Sequence, residues 1–339
     1  MSSQGAYGYA VARIRAMEHR LLDQGVLQRM IDAEDFASIL KILGETSYSS
    51  ALASQTGGSD FDKVLESDLH SIYEEVRTFV PDKKLVDIMR LHYDFHNVKV
   101  LLKSMFNVRT GGKKRWDLLT SLGSQPLDDI IANIETEEYR LLPFGLNTLI
   151  PACITVWEQS RDVLEAERLI DKRMFEVMLE MARELDMPGI VSWVRTRIDG
   201  ENIRTLLRLK RFGYDTAGAL PFMHDGGTID VGMLASLISE PFETWGRAID
   251  FSDIGKVLGG IDASGGYSNL ILSLEKLLDD HYLDKIAAAR YSQTAPENIP
   301  AYLWAKETEI KNIRVIAVSK RNKGDKDHLR RLMRHGYIG

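Results

Sequence analysis

The 339 residues carry 43 Lys or Arg against 49 Asp or Glu, a net charge of −6, with 44% hydrophobic residues and one cysteine. Such a length suggests two or three domains, and each third is long enough to bury a core of its own. The acidic balance excludes a general nucleic-acid binder, and the lone Cys153 excludes an internal disulfide or a cysteine zinc cluster and fits a reducing, cytosolic compartment.

Residues 1–9 have neither a basic nor an apolar region, so no signal peptide is expected. A first helix is expected over 9–22: Ala12, Ile14, Met17, Leu21 and Leu22 share a broad apolar face, and Gly25 allows a stop. A helical hairpin follows over 27–48 and returns at 118–139 and 233–254. At an offset of 91, Leu27, Ile31, Phe36, Ile39, Leu43 and Tyr48 fall on Leu118, Leu122, Leu127, Ile130, Ile134 and Tyr139. At an offset of 206 they fall on Met233, Leu237, Phe242, Trp245, Ile249 and Ile254. Each copy breaks in the middle, at Ala33-Glu34-Asp35, Ser124-Gln125-Pro126 and Ser239-Glu240-Pro241, where Asp or Pro signals a new helix start.

Longer helices are expected over 62–79, 165–185 and 272–291, each followed by proline (Pro81; Pro188; Pro296 and Pro300). After each comes a shared stretch of acid, two variable residues, Asn, β-branched aliphatic and base. The copies are Asp94-Phe95-His96-Asn97-Val98-Lys99, Asp199-Gly200-Glu201-Asn202-Ile203-Arg204 and Glu309-Ile310-Lys311-Asn312-Ile313-Arg314. The three Asn lie 105 and 110 positions apart, close to the 113 of a third of the chain, so the protein reads as three copies of one unit. Gly111-Gly112 and Gly226-Gly227 follow the first two copies and mark natural repeat boundaries. The fold expected is all-α, in three tandem related helical-bundle domains at 1–111, 112–216 and 217–339.

Within a helix the Asn and the acid share a face with the apolar residue four positions on. A buried Asn then ties its helix to a neighbour through hydrogen bonds. The base lies well around the helix from the acid, which disfavours an ion pair between those two and leaves it to meet another helix or line a cavity. The longest charge-free run, 141–157, holds two prolines and is too short to span a membrane. It reads as buried core plus a turn. The alternative, an exposed apolar partner surface, is kept open by the recurrence of Leu142-Pro143-Phe144 as Leu220-Pro221-Phe222. Gly259 to Gly266 lacks the Lys of a phosphate-binding loop. His92 and His96 stand one helical turn apart, a zinc-compatible spacing with no third ligand specified. Residues 306–334 hold ten Lys or Arg against four acids, either a solvated face or a docking surface for an acidic partner or anionic lipid.

With these residues in hand the chain resembles the C/d family of rotary V/A-type ATPase subunits. The likeness rests on the opening Tyr9, Ala12-Arg13-Ile14-Arg15, Glu18 and Leu21-Leu22, and on the closing Glu307, Glu309-Ile310-Lys311-Asn312-Ile313-Arg314 and Ile316. Two departures are Lys99 in place of Arg and Gly200 within the middle copy, which is expected to shift the start of that helix. The resemblance implies a non-catalytic, cofactor-free protein whose three domains form a pseudo-threefold funnel. In that family it sits on the cytoplasmic face of the membrane rotor ring, receives the central shaft and passes torque for ion transport coupled to ATP. Arg13, Arg15, Lys99, Arg204 and Arg314 are then expected at the funnel or its packing, with Asn97, Asn202 and Asn312 as repeat markers. Its partners would be the shaft and the ring, with no nucleic acid, small-molecule substrate or metal. Two other classes fit the residues less fully: a soluble helical scaffold, and a helical metal enzyme built on His92 and His96.

Overall fold

The structure, a computed structural model, describes residues 3–54, 61–261 and 266–337, and every regular element among them is a helix. Gly57-Gly58 and residues 262–265 of the glycine-rich string lie outside the described residues.

Helix α1 (Ser3–Glu18) ends sooner than the apolar pattern implies, although Leu21 and Leu22 stay buried in the turn beyond it. Its inward face is set by Ala10, Val11, Ile14 and Met17, whereas Ala12 is exposed. Helices α2 (Gln24–Asp32) and α3 (Phe36–Gly44) form the first hairpin, started by Asp23 and Asp35, whose carboxylates accept from the Val26 and Ser38 amides at 2.8 Å. In the third copy α12 (Val231–Ser236) and α13 (Phe242–Ala248) begin at Asp230 and Pro241. The break triplets thus end on N-cap residues in all three copies, Pro126 serving α7 (Leu127–Glu135).

The second hairpin corrects the expectation in one arm. Only a 3₁₀ turn, Trp116–Leu118, stands where the other copies have a first helix, and Leu118 is exposed. The reason is that side chains distant in sequence capture the backbone groups of this segment. The Glu66 carboxylate accepts from the Ser121 amide at 2.8 Å, and the Arg90 guanidinium donates to the carbonyls of Leu122 and Gly123.

The long helices follow: α5 (Phe61–Phe79), α9 (Val163–Glu184) and α15 (Gly266–Ile286), the last starting and ending earlier than the expected 272–291 and continued by a 3₁₀ turn. The Asn stretches lie in α6 (Lys84–Arg109), α10 (Pro188–Arg211) and α16 (Asn298–Arg321). Pro188 and Pro300 open α10 and α16, in first turns where a missing N–H costs nothing. Each Asn helix packs on its own long helix and on the next one: α6 on α5 and α9, α10 on α9 and α15, α16 on α15 and α5. The contacts therefore run in a closed circuit. At its seam α16 also meets α1, α2, α3 and α6, and every residue of α16 from Asn298 to Ile310 is buried. The 141–157 run forms α8 (Leu146–Ser160) on α9, with Leu146, Ile150, Cys153 and Trp157 inward and Leu141, ahead of the helix, 85% exposed. Burial pushes the Cys153 thiol up to about 12.

Gly200 does not shift the start of its helix; it lies buried inside α10. A Cβ there would stand 1.8 Å from the Tyr282 hydroxyl oxygen of α15, so glycine is what lets the two helices meet. In a free helix Gly→Ala stabilises by about 1 kcal/mol. Gly200→Ala is expected to destabilise by about 2 kcal/mol instead, through overpacking, with partial recovery in the double variant carrying Tyr282→Phe. Urea denaturation checks both.

Candidate functional site at the acid-Asn-base stretches

The three Asn side chains make the same pair of bonds. Asn97 Nδ2 donates to the Thr120 carbonyl at 2.9 Å while its Oδ1 accepts from the Thr120 amide at 3.0 Å. Asn202 does so with His224 at 2.9 and 2.7 Å, and Asn312 with Arg334 at 3.1 and 3.0 Å. A primary amide carries one donor edge and one acceptor edge, so it satisfies both backbone groups of a single residue. Each clamp fixes the returning chain to the flank of an Asn helix.

The acids hold the next part of that returning chain. Asp94 accepts from the Ser124 hydroxyl at 2.7 Å and the Gln125 amide at 3.0 Å. Asp199 accepts from the Thr228 amide, the Thr228 hydroxyl and the Ile229 amide. A Cβ at Gly123 or Gly227 would fall 2.4 or 2.0 Å from these carboxylates, which accounts for both glycines. Burial pushes the carboxyls of Asp94 and Asp199 up, against hydrogen bonds that pull them down. The third acid takes a distant partner: Glu309 accepts from the Leu22 amide and, at 2.6 Å, from the Tyr48 hydroxyl. Lys306, 1% exposed, bridges Glu309 and Asp68 at 2.9 Å each and lies 4.0 Å from the Tyr48 ring centre. Burial pulls Lys306 down, but the two carboxylates outweigh it and its pKa is raised.

The bases differ in partner. Lys99 bonds Asp171 of α9 at 2.7 Å and Arg314 bonds Asp62 of α5 at 2.8 Å, each reaching the next long helix. Arg204 instead pairs with Glu201 on its own helix. Arg13 and Arg15 lie apart from these three. Arg13 meets Glu75 at 3.5 Å and the Phe79 ring, while Arg15 meets Glu18 at 3.0 Å and Asn298 at 3.2 Å.

A central polar cluster was not singled out from the sequence, although the repeat register leads to it. Five positions before each Asn stand His92, Arg197 and Glu307. Burial first, then Arg197 and Lys311, push the His92 imidazole down to about 3. Burial raises the Glu307 carboxyl, opposed by Lys311, the Tyr73 hydroxyl bonded to it, and Arg197. His92, Tyr93, Arg197, Glu201 and Lys311 all keep partial contact with solvent. His92 and His96 do not converge on a shared site: His92 Nδ1 faces the Met89 carbonyl, and His96 Nε2 the Leu118 carbonyl, both at 2.9 Å. Among the described residues no three His, Cys, Asp or Glu are grouped for a metal.

A model of the ATP synthase (C/AC39) subunit family matches residues 10–332. An Enterococcus hirae protein described as the C subunit of a V-type sodium ATPase is 24% identical over 328 residues, spanning 96% of this chain and 97% of its own. The C subunit of a Thermus thermophilus V-type ATP synthase is 27% identical over 213 residues, 61% of this chain and 64% of its own. The C subunit of a Methanosarcina acetivorans A-type ATP synthase is 25% identical over 337 residues, 91% and 88% of the two chains.

Removing a clamp leaves a backbone N–H and C=O unpaired, at about 1–3 kcal/mol per buried group. Asn202→Ala, whose two bonds are both buried, is expected to cost the most, about 3 kcal/mol, ahead of Asn97→Ala and Asn312→Ala. Lys306→Met strands two carboxylates and is expected to cost about 4 kcal/mol. Chemical denaturation of the single variants gives the ranking.

Proposed function

The chain belongs to the ATP synthase (C/AC39) subunit family, and from that premise we propose that it is the rotor socket of a V/A-type ATPase. The family is that of a non-catalytic accessory subunit of the complex. In the proposed role it receives the central shaft, rests on the membrane rotor ring at the cytoplasmic face, and carries torque between them. The observation that supports this reading is the closed circuit of contacts among the long helices and Asn helices, together with the polar, partly solvent-accessible groups that the Asn helices carry. A torque-bearing part needs stiffness, and close-packed interiors transmit strain rather than absorb it. The division into units 1–111, 112–216 and 217–339 and their arrangement as a pseudo-threefold funnel belong to the same proposal.

Two interfaces follow from this role. The shaft would meet the polar groups of the funnel, with Arg13, Arg15, Lys99, Arg204 and Arg314 lining or bracing it. The ring would meet exposed apolar turns. Leu220 is 44% exposed beside Pro221, and Leu141 precedes the other Leu-Pro-Phe turn. No described helix is long and apolar enough to cross a membrane, so attachment would come through partners.

The test is binding of the full-length chain to purified shaft proteins and to the detergent-solubilised ring of the same ATPase. Charge reversal at the five basic positions is expected to weaken shaft binding roughly tenfold at one or more of them, with melting curves recorded alongside. Unchanged affinity across the set would sink the funnel assignment. Hydrogen exchange is expected to slow at 142–144 and 220–222 when the ring is added.

A further inference from the structure

Arg197 is a cation packed between aromatic side chains of α10 and α16, with no carboxylate of the described residues in direct contact. Its guanidinium carbon lies 4.7 Å from the Trp193 ring centre and 4.8 Å from that of Trp304, and the two indoles meet edge to face at 84°. The two rings hold the cation by cation–π attraction. Such contacts satisfy none of the guanidinium N–H groups, which lie in its plane. Nη1 is buried with no hydrogen-bond partner among the described residues.

The surrounding charges are already engaged. Glu201 is taken by Arg204, Glu307 by the Tyr73 hydroxyl, and Asp279 by Lys311 and Arg334. Glu307, Glu201 and Asp279 therefore act on Arg197 only from a distance. Lys99, Arg204, Lys311 and Arg314, by contrast, each have a carboxylate in direct contact. A buried guanidinium is costly when unpaired, and its edge matches the two oxygens of a carboxylate. The side chain keeps partial solvent contact, as do its neighbours His92, Tyr93 and Lys311, so the site opens outward.

We propose that Arg197 is the anchor for a carboxylate of the docked shaft polypeptide, taken bidentately between Trp193 and Trp304. This rests on the socket reading above. It adds a specific residue and a specific partner chemistry to that reading: an Asp, Glu or C-terminal carboxylate, brought to the centre where α6, α10 and α16 contribute His92, Arg197 and Glu307.

The experiment measures affinity of the full-length chain for purified shaft proteins of the same ATPase, with thermal melting of each variant. Arg197→Met is expected to weaken binding roughly thirtyfold or more, while its melting temperature equals or exceeds that of the wild type, because an unpaired charge has been removed. Arg197→Lys keeps the charge and is expected to restore little, since an ammonium offers no planar fork. Replacing Asp and Glu of the shaft by Asn and Gln one at a time, and blocking its C-terminus as an amide, is expected to reveal one carboxylate whose loss adds nothing in the Arg197→Met background. If the wild type does not bind the shaft, the socket reading fails and this anchor with it. If the wild type binds and Arg197→Met binds equally well, or melts lower at unchanged affinity, the anchor is refuted and the socket reading stands. Full rescue by Lys, or a shaft with no coupled carboxylate, refutes it as well.

Discussion

A circuit of helices made from one chain has a seam where its ends meet, and here Glu309 closes it. The three acids do comparable work, but the first two hold segments about thirty residues further along their own stretch of chain, as in Asp94 with Gln125 and Asp199 with Thr228. Glu309 holds Leu22, 287 residues away. Loop-closure entropy grows with the logarithm of that separation, so the seam costs about 2 kcal/mol more to close than either internal junction. The chemistry at the seam is correspondingly stronger. Neutral hydroxyls and amides suffice for Asp94 and Asp199, whereas Glu309 has Lys306 and Tyr48, and Lys306 has Asp68 as well. What distinguishes the seam is a full opposite charge, an ammonium between two carboxylates, which adds direct Coulomb attraction where every buried charge is paired.

The seam also explains how the first hairpin is used. In chain order it precedes α5, and a linear reading assigns it to the first unit. In space α2 and α3 pack on α16, and Lys320 reaches the Ile31 carbonyl at 2.6 Å. The offset of 206 between first and third hairpins carries this information: it maps Leu22, held by Glu309, onto Thr228, held by Asp199. The N-terminus thus supplies to α16 what the chain supplies to α10 by simple continuation.

Much of the helical content was legible because its signals are local. Asp35, Pro126 and Pro241 start helices through cap chemistry that needs no neighbour, and the Asn register repeats in linear order. What stayed hidden depends on tertiary approach. Gly200 looks like a helix breaker until Tyr282 is seen against it. The missing first arm of the second hairpin follows from Glu66 and Arg90, residues far upstream that capture its backbone. Arg204 turns back to Glu201 while Lys99 and Arg314 cross to another helix, a choice set by which carboxylate the facing helix presents. The central cluster was within reach of the sequence. Its three members share one register position, but His, Arg and Glu do not look like copies of anything, so similarity alone passes over them.

That dissimilarity bears on the proposed role. Three equivalent Asn clamps give the scaffold a repeated geometry, and a partner entering a scaffold that was also chemically repeated could seat in any of three orientations with equal affinity. At His92, Arg197 and Glu307 the equivalence is broken outright. One position is a neutral imidazole, one a guanidinium and one a carboxyl, so three settings related by the repeat would meet three different electrostatic environments. Specificity is a difference between affinities, and mismatched charge is among the strongest ways to create it. In the proposed role, a socket that turned with a shaft without slipping between settings would gain from a repeated frame for stiffness and unlike groups at one register position for orientation. The sequence divides those tasks between the Asn positions, which are identical in all three copies, and the positions five residues before them, which are not.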